Sequence, residues 1–290
     1  MTVARSSKRN FAFDRDVPPV LEVDPGEELT FEVEDDTWER LAAGTAPDEL
    51  PGFNPVVGPV YVRGARPGNA LRIEILAIQL RTAWASWMPG FGPLGDRTRS
   101  VQVMETPIEG QRIRLGAKLT VPLDPMIGCI GLAPARGIAS TVRPVYRTGG
   151  NLDLREMSPG ATVWLPVEVD GALLSLGDLH AAMGAAEPTF VSLEASGSAT
   201  VRVDIEPELR ISTPRLRVGT TTICVGMAET HADAKLDAID QAFDLLTHTH
   251  GLDPFLAYSY ACARVGVQLG GPAGTRVDGL QAVLASVPDP

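Results

Sequence analysis

Six polar residues between positions 151 and 194 have side chains of the kinds that bind metal ions or transfer protons: Asn151, Asp153, Asp178, His180, Glu187 and Glu194. The first two are two residues apart, as are Asp178 and His180, and alternate side chains of a β-strand lie on one face. Each pair would therefore direct two polar groups to the same side. These residue types are typical of a divalent-cation site or of acid–base catalysis.

A simpler interpretation applies to the same residues. Short polar side chains beside glycines commonly form turns, and Gly149-Gly150 precedes the first pair while Gly177 precedes the second. On residue types and spacing alone, turns and a chemical site both remain open.

Other nucleophiles receive less support from the sequence. Cys129 lies in the segment PMIGCIGLAP, which has no histidine or lysine nearby to act as its base, so we interpret it as a small buried hydrophobic residue. The chain has no G-x-S-x-G motif for a serine nucleophile. His231, His248 and His250 lie near the ends of a predicted helix, where structural or surface roles are favoured.

Composition limits the classes of partner. The 290 residues carry a net charge of −11, which argues against nucleic acid or an anionic membrane surface. No run of about eighteen apolar residues is present to span a bilayer, and no apolar segment follows the basic N-terminal stretch, so we expect no secretory signal. Three widely spaced cysteines fit a reducing compartment. We therefore expect a cytoplasmic protein.

Glycine and proline recur every eight to twelve residues, the spacing of short strands joined by turns. Residues 20–23 and 29–34 predict an opening hairpin, and 161–167 and 172–176 predict another around Asp170-Gly171. The aromatic, glycine-rich stretch 82–98 predicts either a pocket wall or an ordered surface loop.

A helix pair is expected late in the chain. Thr230 is a candidate N-cap for a helix that ends near Gly251, and Asp253-Pro254 begins a second helix through about Ala263. Apolar residues recur in the first helix at helical spacing, which predicts a core-facing stripe of Leu236, Ile239, Phe243 and Leu246.

The polar stretch resembles the acetamidase/formamidase family. The residues R-T-G-G-N-L-D at 147–153 are similar to that family's R-T-G-G-N-x-D, and G-D-L-H-A-A at 177–182 matches its G-D-x-H-A-A. L-P-V at 165–167 and G-A-L at 171–173 also resemble family segments, as do 58–62, 64–69 and 125–134. The resemblance therefore covers nearly the whole chain.

The resemblance implies a β-rich α+β fold: a jelly-roll-like β-sandwich, a smaller barrel-like β part and the late helix pair. It implies one unit over residues 1–290, with possible β-rich subdomains at about 1–120 and 121–290. The expected activity is hydrolysis of a short amide, such as formamide or acetamide, to carboxylate and ammonia, by a homodimer or higher homo-oligomer. Asn151, Asp153, Asp178 and His180 would hold a divalent metal, zinc or calcium. Glu187 or Glu194 would transfer the proton, and His180 would also line the catalytic site.

This sequence departs from the family pattern in three places. The family usually continues with Q-G-D-G-E, where this chain has Met183-Gly184-Ala185-Ala186-Glu187. No histidine precedes His180, and Asn69 stands where the family often has aspartate. Two alternatives to a simple short-amide hydrolase therefore stay open: an inert or altered-specificity relative that binds a small ligand or metal, and a purely structural metal site.

Overall fold

The computed structural model describes residues 2–4, 9–143, 145–271 and 279–290. The helices are α1 (Thr37–Ala42), α2 (His231–Asp244) and α3 (Pro254–Arg264), with a π-helical turn at Leu245–Thr249 and 3-10 turns at Pro47–Glu49 and Gly95–Arg97. The strands are β1 (Thr2–Ala4), β2 (Ala12–Phe13), β3 (Leu21–Val23), β4 (Glu28–Val33), β5 (Val56–Val62), β6 (Ala70–Trp87), β7 (Gln102–Glu105), β8 (Ile108–Glu109), β9 (Arg112–Leu115), β10 (Leu119–Pro122), β11 (Met126–Leu132), β12 (Ala139–Ser140), β13 (Gly149–Asn151), β14 (Thr162–Pro166), β15 (Leu174–Ala182), β16 (Leu193–Glu206), β17 (Arg215–Val218), β18 (Thr221–Ala228), β19 (Gly266–Gly270) and β20 (Gln281–Pro288).

Fifteen strands belong to one branched sheet whose main path runs β13-β11-β15-β16-β6-β14-β17-β18-β20-β19. Strands β5 and β4 branch from β15 and β16. The strand-rich composition with few helices confirms the β-rich α+β class. Along the described strands the path does not close on itself, because β13 and β19 at its ends each pair on one side only, so no closed barrel is present there.

The strand β15 lies at the centre of this sheet, and eight of its nine residues are buried. It pairs with β11, β16 and β5, but not with β14. The predicted hairpin around Asp170-Gly171 is therefore wrong. Ala172 and Leu173 have φ values of 60° and 58°, so the chain turns sharply there and carries β15 away from β14.

The predicted opening hairpin is also wrong. β3 pairs in parallel with β5, whereas β4 pairs with β16 and β1. Only Val23 of β3 is fully buried, and Glu22 is exposed, so β3 buries one side chain against its neighbours. Likewise, residues 82–87 of the aromatic stretch are the end of the long strand β6, and only the residues after Trp87 form the loop.

The helix pair covers one face of β18 and β20. Thr230 caps α2, its side chain accepting a hydrogen bond from the Asp233 N–H, and Asp253 caps α3 with Pro254 in the first turn, as predicted. The predicted stripe on α2 is wrong at two of its four positions. Leu236 and Ile239 are 63% and 40% exposed, and the helix instead buries Ala234, Ala238 and Ala242.

The alanine face of α2 is inward because the sheet approaches it very closely. A Cβ built on Gly226 of β18 would overlap the backbone of Ala234 and Ala238. Only small side chains fit between helix and sheet at that separation.

No helix among the described residues is long and apolar enough to cross a membrane.

Candidate active site

Four neighbouring strands, β13, β11, β15 and β16, bring the predicted polar residues together. Asn151 ends β13 and pairs with Cys129 of β11. His180 of β15 pairs with Met126 on one side and with Glu194 of β16 on the other. Residues that are up to 43 positions apart in the chain therefore converge at one level of the sheet.

All six predicted residues are buried: Asn151, Asp153, Asp178, His180, Glu187 and Glu194. The backbone is irregular where three of them occur, since Asp153, Asp178 and Glu187 have φ values of 42°, 55° and 40°. Positive φ in such residues costs about 1–3 kcal/mol each and tends to occur at functional sites. The side chains therefore converge through left-handed backbone turns, rather than through the regular strand alternation that their i, i+2 spacing suggested.

The His180 imidazole is the centre of the cluster. Its Nε2 lies 3.4 Å from Asp178 Oδ1, 3.6 Å from Glu194 Oε2 and 3.8 Å from Asp153 Oδ1. These separations exceed a normal hydrogen bond. Asp153 Oδ1 and Asp178 Oδ1 have no hydrogen-bond partner among the described residues, and neither does His180 Nδ1.

Ser192, the residue before β16, orients the two glutamates. Its Oγ–H donates to Glu187 Oε1 at 2.9 Å, and its backbone N–H donates to Glu194 Oε1 at 3.1 Å. The second carboxylate oxygen of Glu194 is thereby left facing His180. The turn before Glu187, where this chain departs from the family pattern, contributes none of the residues that line the cavity described below.

Burial dominates the electrostatics of the cluster. It raises the pKa of Glu187 to about 8, and it raises the pKa values of Asp153 and Glu194 well above the usual range. Burial opposes protonation of His180, but the charges of Glu194 and Asp178 outweigh it and raise the pKa of the imidazole. The cluster as it stands therefore favours bound protons near neutral pH.

Two further residues belong to this cluster, and neither was among the predicted site residues. Burial raises the pKa of Asp35 to about 6, and the negative charge of Asp178 adds to the effect. The alternation Leu29, Phe31, Val33 could have placed Asp35 on the buried face. The Cys129 thiol, interpreted from sequence as a buried hydrophobic residue, is fully buried, but it also lies 3.2 Å from Asn151 Oδ1 and 3.4 Å from Asp178 Oδ2.

An aromatic wall closes the other side of the cluster. Trp38, Phe53, Phe91 and Phe190 form a continuous row with ring centroids 5.7–6.4 Å apart. With Met88 they line a cavity of about 30 Å³ that also contacts five of the six predicted residues. Met88 and Phe91 line this cavity, as the pocket-wall interpretation of the 82–98 stretch predicts, and they also pack in a core cluster with Trp38, as the surface-loop interpretation predicts. The arrangement combines a buried acid–base cluster with a small cavity that has aromatic side chains on one side and polar side chains on the other.

Comparison with known proteins identifies the family and similar folds. The model of the Acetamidase/Formamidase family matches residues 4–140 and 133–269. A crystal structure of an acetamidase from Bacillus halodurans is 31% identical with a TM-score of 0.87, covering 99% of this chain and 97% of that one. A predicted acetamidase/formamidase from Thermoanaerobacter tengcongensis is 28% identical with a TM-score of 0.86, covering 99% and 94%.

Matches to curated sequences are shorter. An acetamidase of Mycolicibacterium smegmatis is 40% identical over 68 residues, which is 23% of this chain and 16% of that protein. The matched segments span 31% or less of the curated relatives' lengths. The family model nevertheless covers most of the residues, and the fold agrees over nearly its full length. The chain belongs to the acetamidase/formamidase family.

Proposed function

We propose that this protein is an amidase that hydrolyses the carbon–nitrogen bond of a primary amide and releases a carboxylate and ammonia. The observation that carries the proposal is the convergence of His180 Nε2 with three buried carboxylates beside a small cavity lined by both aromatic and polar side chains. Family membership and the acetamidase named above support the same reaction.

The cluster fits a divalent cation. The oxygens of Asp153 and Asp178 that face His180 Nε2 have no hydrogen-bond donor among the described residues, although burying such an atom without a partner is costly. Two sets of possible ligand atoms share the imidazole: Asp153, His180 and Glu187, and Asp178, His180 and Glu194. Separations of 3.4–3.8 Å are close to the roughly 3.0–3.4 Å expected between ligands about 2.1 Å from one zinc ion.

We assign the cation to His180 together with Asp153 and Asp178, each of which belongs to one of these two sets, with Asn151 as a fourth candidate ligand. The imidazole nitrogen favours zinc over calcium, which prefers oxygen ligands. A cation bound there would polarise the amide carbonyl and acidify a water molecule.

Glu187 is positioned to move the proton. Its Oε1 is held by the Ser192 hydroxyl at 2.9 Å, and the residue borders the cavity. A cation at His180 would offset the burial that raises the pKa of Glu187 and would favour its ionised form. In this scheme the Glu187 carboxylate then accepts a proton from water as the oxygen–carbon bond forms. It then donates that proton to the nitrogen as the carbon–nitrogen bond breaks and ammonia leaves. Glu194 is the alternative base, because it also borders the cavity and its Oε1 is fixed by the Ser192 N–H.

Ammonia release from a panel of primary amides, with elemental analysis of the same purified protein, tests the proposal. Glu187→Gln keeps the shape of the side chain but cannot accept the proton, so kcat should fall about 10²–10⁴-fold. His180→Ala should lower both bound metal and activity. Glu208→Gln and His248→Ala are matched controls at exposed positions, and we expect wild-type rates from both.

Full activity in both His180→Ala and Glu187→Gln would refute this mechanism. Metal binding with no ammonia from any amide would instead favour an inert binding protein. Unfolding on chelation, combined with unchanged activity in Glu187→Gln, would point to a purely structural metal site.

We also propose that the protein forms a homo-oligomer through the outer surface of the helix pair. Leu236 on α2 is 63% exposed, and Phe255 and Tyr258 on α3 are 75% and 68% exposed. An aromatic side chain covers about 150–250 Å² when buried, and one side of a standard interface needs about 800 Å². These side chains would supply a large part of one such surface, and a second copy of the chain is the partner we assign to it.

Light scattering after size-exclusion chromatography tests this assembly. Phe255→Glu should yield monomers, whereas Lys118→Glu, at an exposed position outside the helix pair, should not. A wild-type protein that is monomeric at micromolar concentration would refute the assignment.

We also propose a cytoplasmic location and a single structural unit over residues 1–290. The three cysteines are unpaired, which supports a reducing cytoplasmic location. Strands from both halves of the chain alternate in one sheet, for example β6 between β16 and β14, which supports a single unit over 1–290.

A further inference from the structure

A second cavity adjoins the small cavity at the polar cluster. It has a volume of about 240 Å³, and its walls include Ser86 and Leu94. Met88, Phe91 and Val191 line both cavities, so these three side chains form the partition between them. We call the two spaces the inner cavity and the outer chamber.

The two volumes suit different parts of one ligand. The inner cavity, at about 30 Å³, has room for roughly one or two water-sized groups, since one water needs about 10–15 Å³ by this measure. That is enough for a carboxamide head but not for a ring. The outer chamber, at about 240 Å³, exceeds the roughly 150 Å³ of an apolar protein cavity that binds benzene.

The side chains of this partition can separate the two cavities or let the apolar tail of a ligand pass between them. Met88 is unbranched and flexible, and methionine adapts its shape to varied ligands. Phe91 stands between Gly90 and Gly92, which have φ values of 78° and 65°, and its ring contacts those of Phe53 and Phe190. An aromatic ring at this point provides a stacking surface for an apolar group that leaves the inner cavity.

We propose that the outer chamber binds the acyl group of the substrate, and that the preferred substrates are primary amides of apolar acids carrying an aryl or medium-length alkyl group. The proposal rests on the amide hydrolysis proposed above. The carboxamide head occupies the inner cavity beside Glu187 and His180, and the apolar tail extends past Met88 and Phe91. Specificity is then set by the loop after β6 and by Val191, and not by the Met183–Ala186 segment, which lines neither cavity.

Ser86 allows a clean test of the chamber. Its hydroxyl is buried and has no hydrogen-bond partner among the described residues, so replacing it breaks no visible protein hydrogen bond. Ser86→Leu fills part of the chamber, and Glu208→Gln, at an exposed position outside both cavities, is the control. Leu94→Trp narrows the same chamber from a partly exposed loop position, in case the strand variant is unstable.

The experiment compares kcat/KM for acetamide and phenylacetamide in the wild type and the three variants. We expect the wild type to prefer phenylacetamide by at least tenfold, because each buried methylene in an apolar pocket is worth about 10–200-fold. Ser86→Leu and Leu94→Trp should lower kcat/KM for phenylacetamide by about tenfold or more and leave acetamide within about twofold. Glu208→Gln should change neither substrate by more than about twofold.

A wild type that prefers acetamide, or filling variants that affect both substrates equally, would overturn the chamber assignment while leaving amide hydrolysis in place. Absence of ammonia from every amide would instead overturn the proposed function. The chamber is then tested by calorimetric binding of phenylacetate and acetate to the same proteins. Binding of phenylacetate that is at least tenfold tighter than that of acetate, and that is lost in Ser86→Leu, would support the chamber, and equal binding would refute it.

Discussion

Gly128 on β11 lies directly beneath the polar cluster, and Gly128→Ala should disable the site. A Cβ at this position would lie 2.6 Å from Asp178 Oδ2 and 2.8 Å from both Asp153 Oδ1 and the Asp178 carbonyl oxygen. Ordinary contact begins near 3.4 Å, so the Asp178 carboxylate would have to retreat by about 0.8 Å. The carboxylates of Asp153 and Asp178 can occupy these positions because Gly128 has no side chain.

The size of the effect follows from that displacement. A misplacement of about 1 Å can lower a catalytic rate by roughly 100-fold, and adding a methyl group to a packed interior costs about 1–3 kcal/mol of stability. We therefore expect kcat/KM for ammonia release to fall by about 100-fold, with reduced metal content. Urea unfolding should show a loss of about 1–3 kcal/mol in the free energy of unfolding.

Gly266→Ala on β19 is the matched control, because the same methyl group would meet no atom within 4 Å there. We expect it to behave as wild type in all three measurements. If Gly128→Ala retained the kcat/KM and metal content of Gly266→Ala, the positions of Asp153 and Asp178 described above would not be those used in catalysis.

Three further predictions concern stability. Burial raises the pKa of Asp35 from 3.8 to about 6, so the folded state binds a proton on this carboxyl group more tightly than the unfolded state does. The stabilisation from this proton is complete below pH 4 and is lost as the pH rises through 6. Urea titrations of the metal-free protein should therefore show greater stability at pH 5 than at pH 8. Asp35→Asn, which can still accept the Thr37 N–H, should gain about 3 kcal/mol at pH 8. Gly226→Ala should destabilise the protein by about 3 kcal/mol or more, measured by urea unfolding, because its Cβ overlaps the α2 backbone at Ala234. Chelation should lower Tm at neutral pH in calorimetry, because removing the cation removes the counter-charge of the buried carboxylates. Added zinc should restore the Tm.

Four of the six polar residues could be selected from the sequence because they lie in two short motifs of consecutive residues, at 147–153 and 177–182. Their geometry could not be predicted, because Asp153 and Asp178 adopt left-handed backbone conformations that depend on the neighbouring strand. Asp35 was missed for a different reason. It follows the strand β4 in an acidic segment, and acidic segments are usually solvated, so its burial depends on the packing of distant residues such as Ser196, whose Oγ–H donates to the Asp35 carbonyl oxygen at 2.8 Å.

The orientation of α2 shows a second limit. The helix has two faces at helical spacing, one with Leu236 and Ile239 and one with three alanines, and hydrophobicity favours the first as the buried face. The close approach of β18 at Gly226 selects the alanines instead. The two predicted hairpins were wrong for a related reason: strand partners are chosen by burial across the whole sheet, and β15 needs buried neighbours on both sides.

The polar cluster is costly as a set of charges, and that cost argues for a catalytic cation site. Five carboxylates, those of Asp35, Asp153, Asp178, Glu187 and Glu194, are buried around one imidazole. Keeping a buried carboxylate ionised costs several kcal/mol after relaxation, and one imidazolium offsets only one such charge. Burial therefore raises the pKa values of Asp35, Asp153, Glu187 and Glu194 in the metal-free cluster. The strained backbone at three of these residues adds to the cost. A purely structural metal site would require neither the strain nor an adjoining aromatic cavity, so we infer that the fold maintains this cluster for chemistry at the expense of stability.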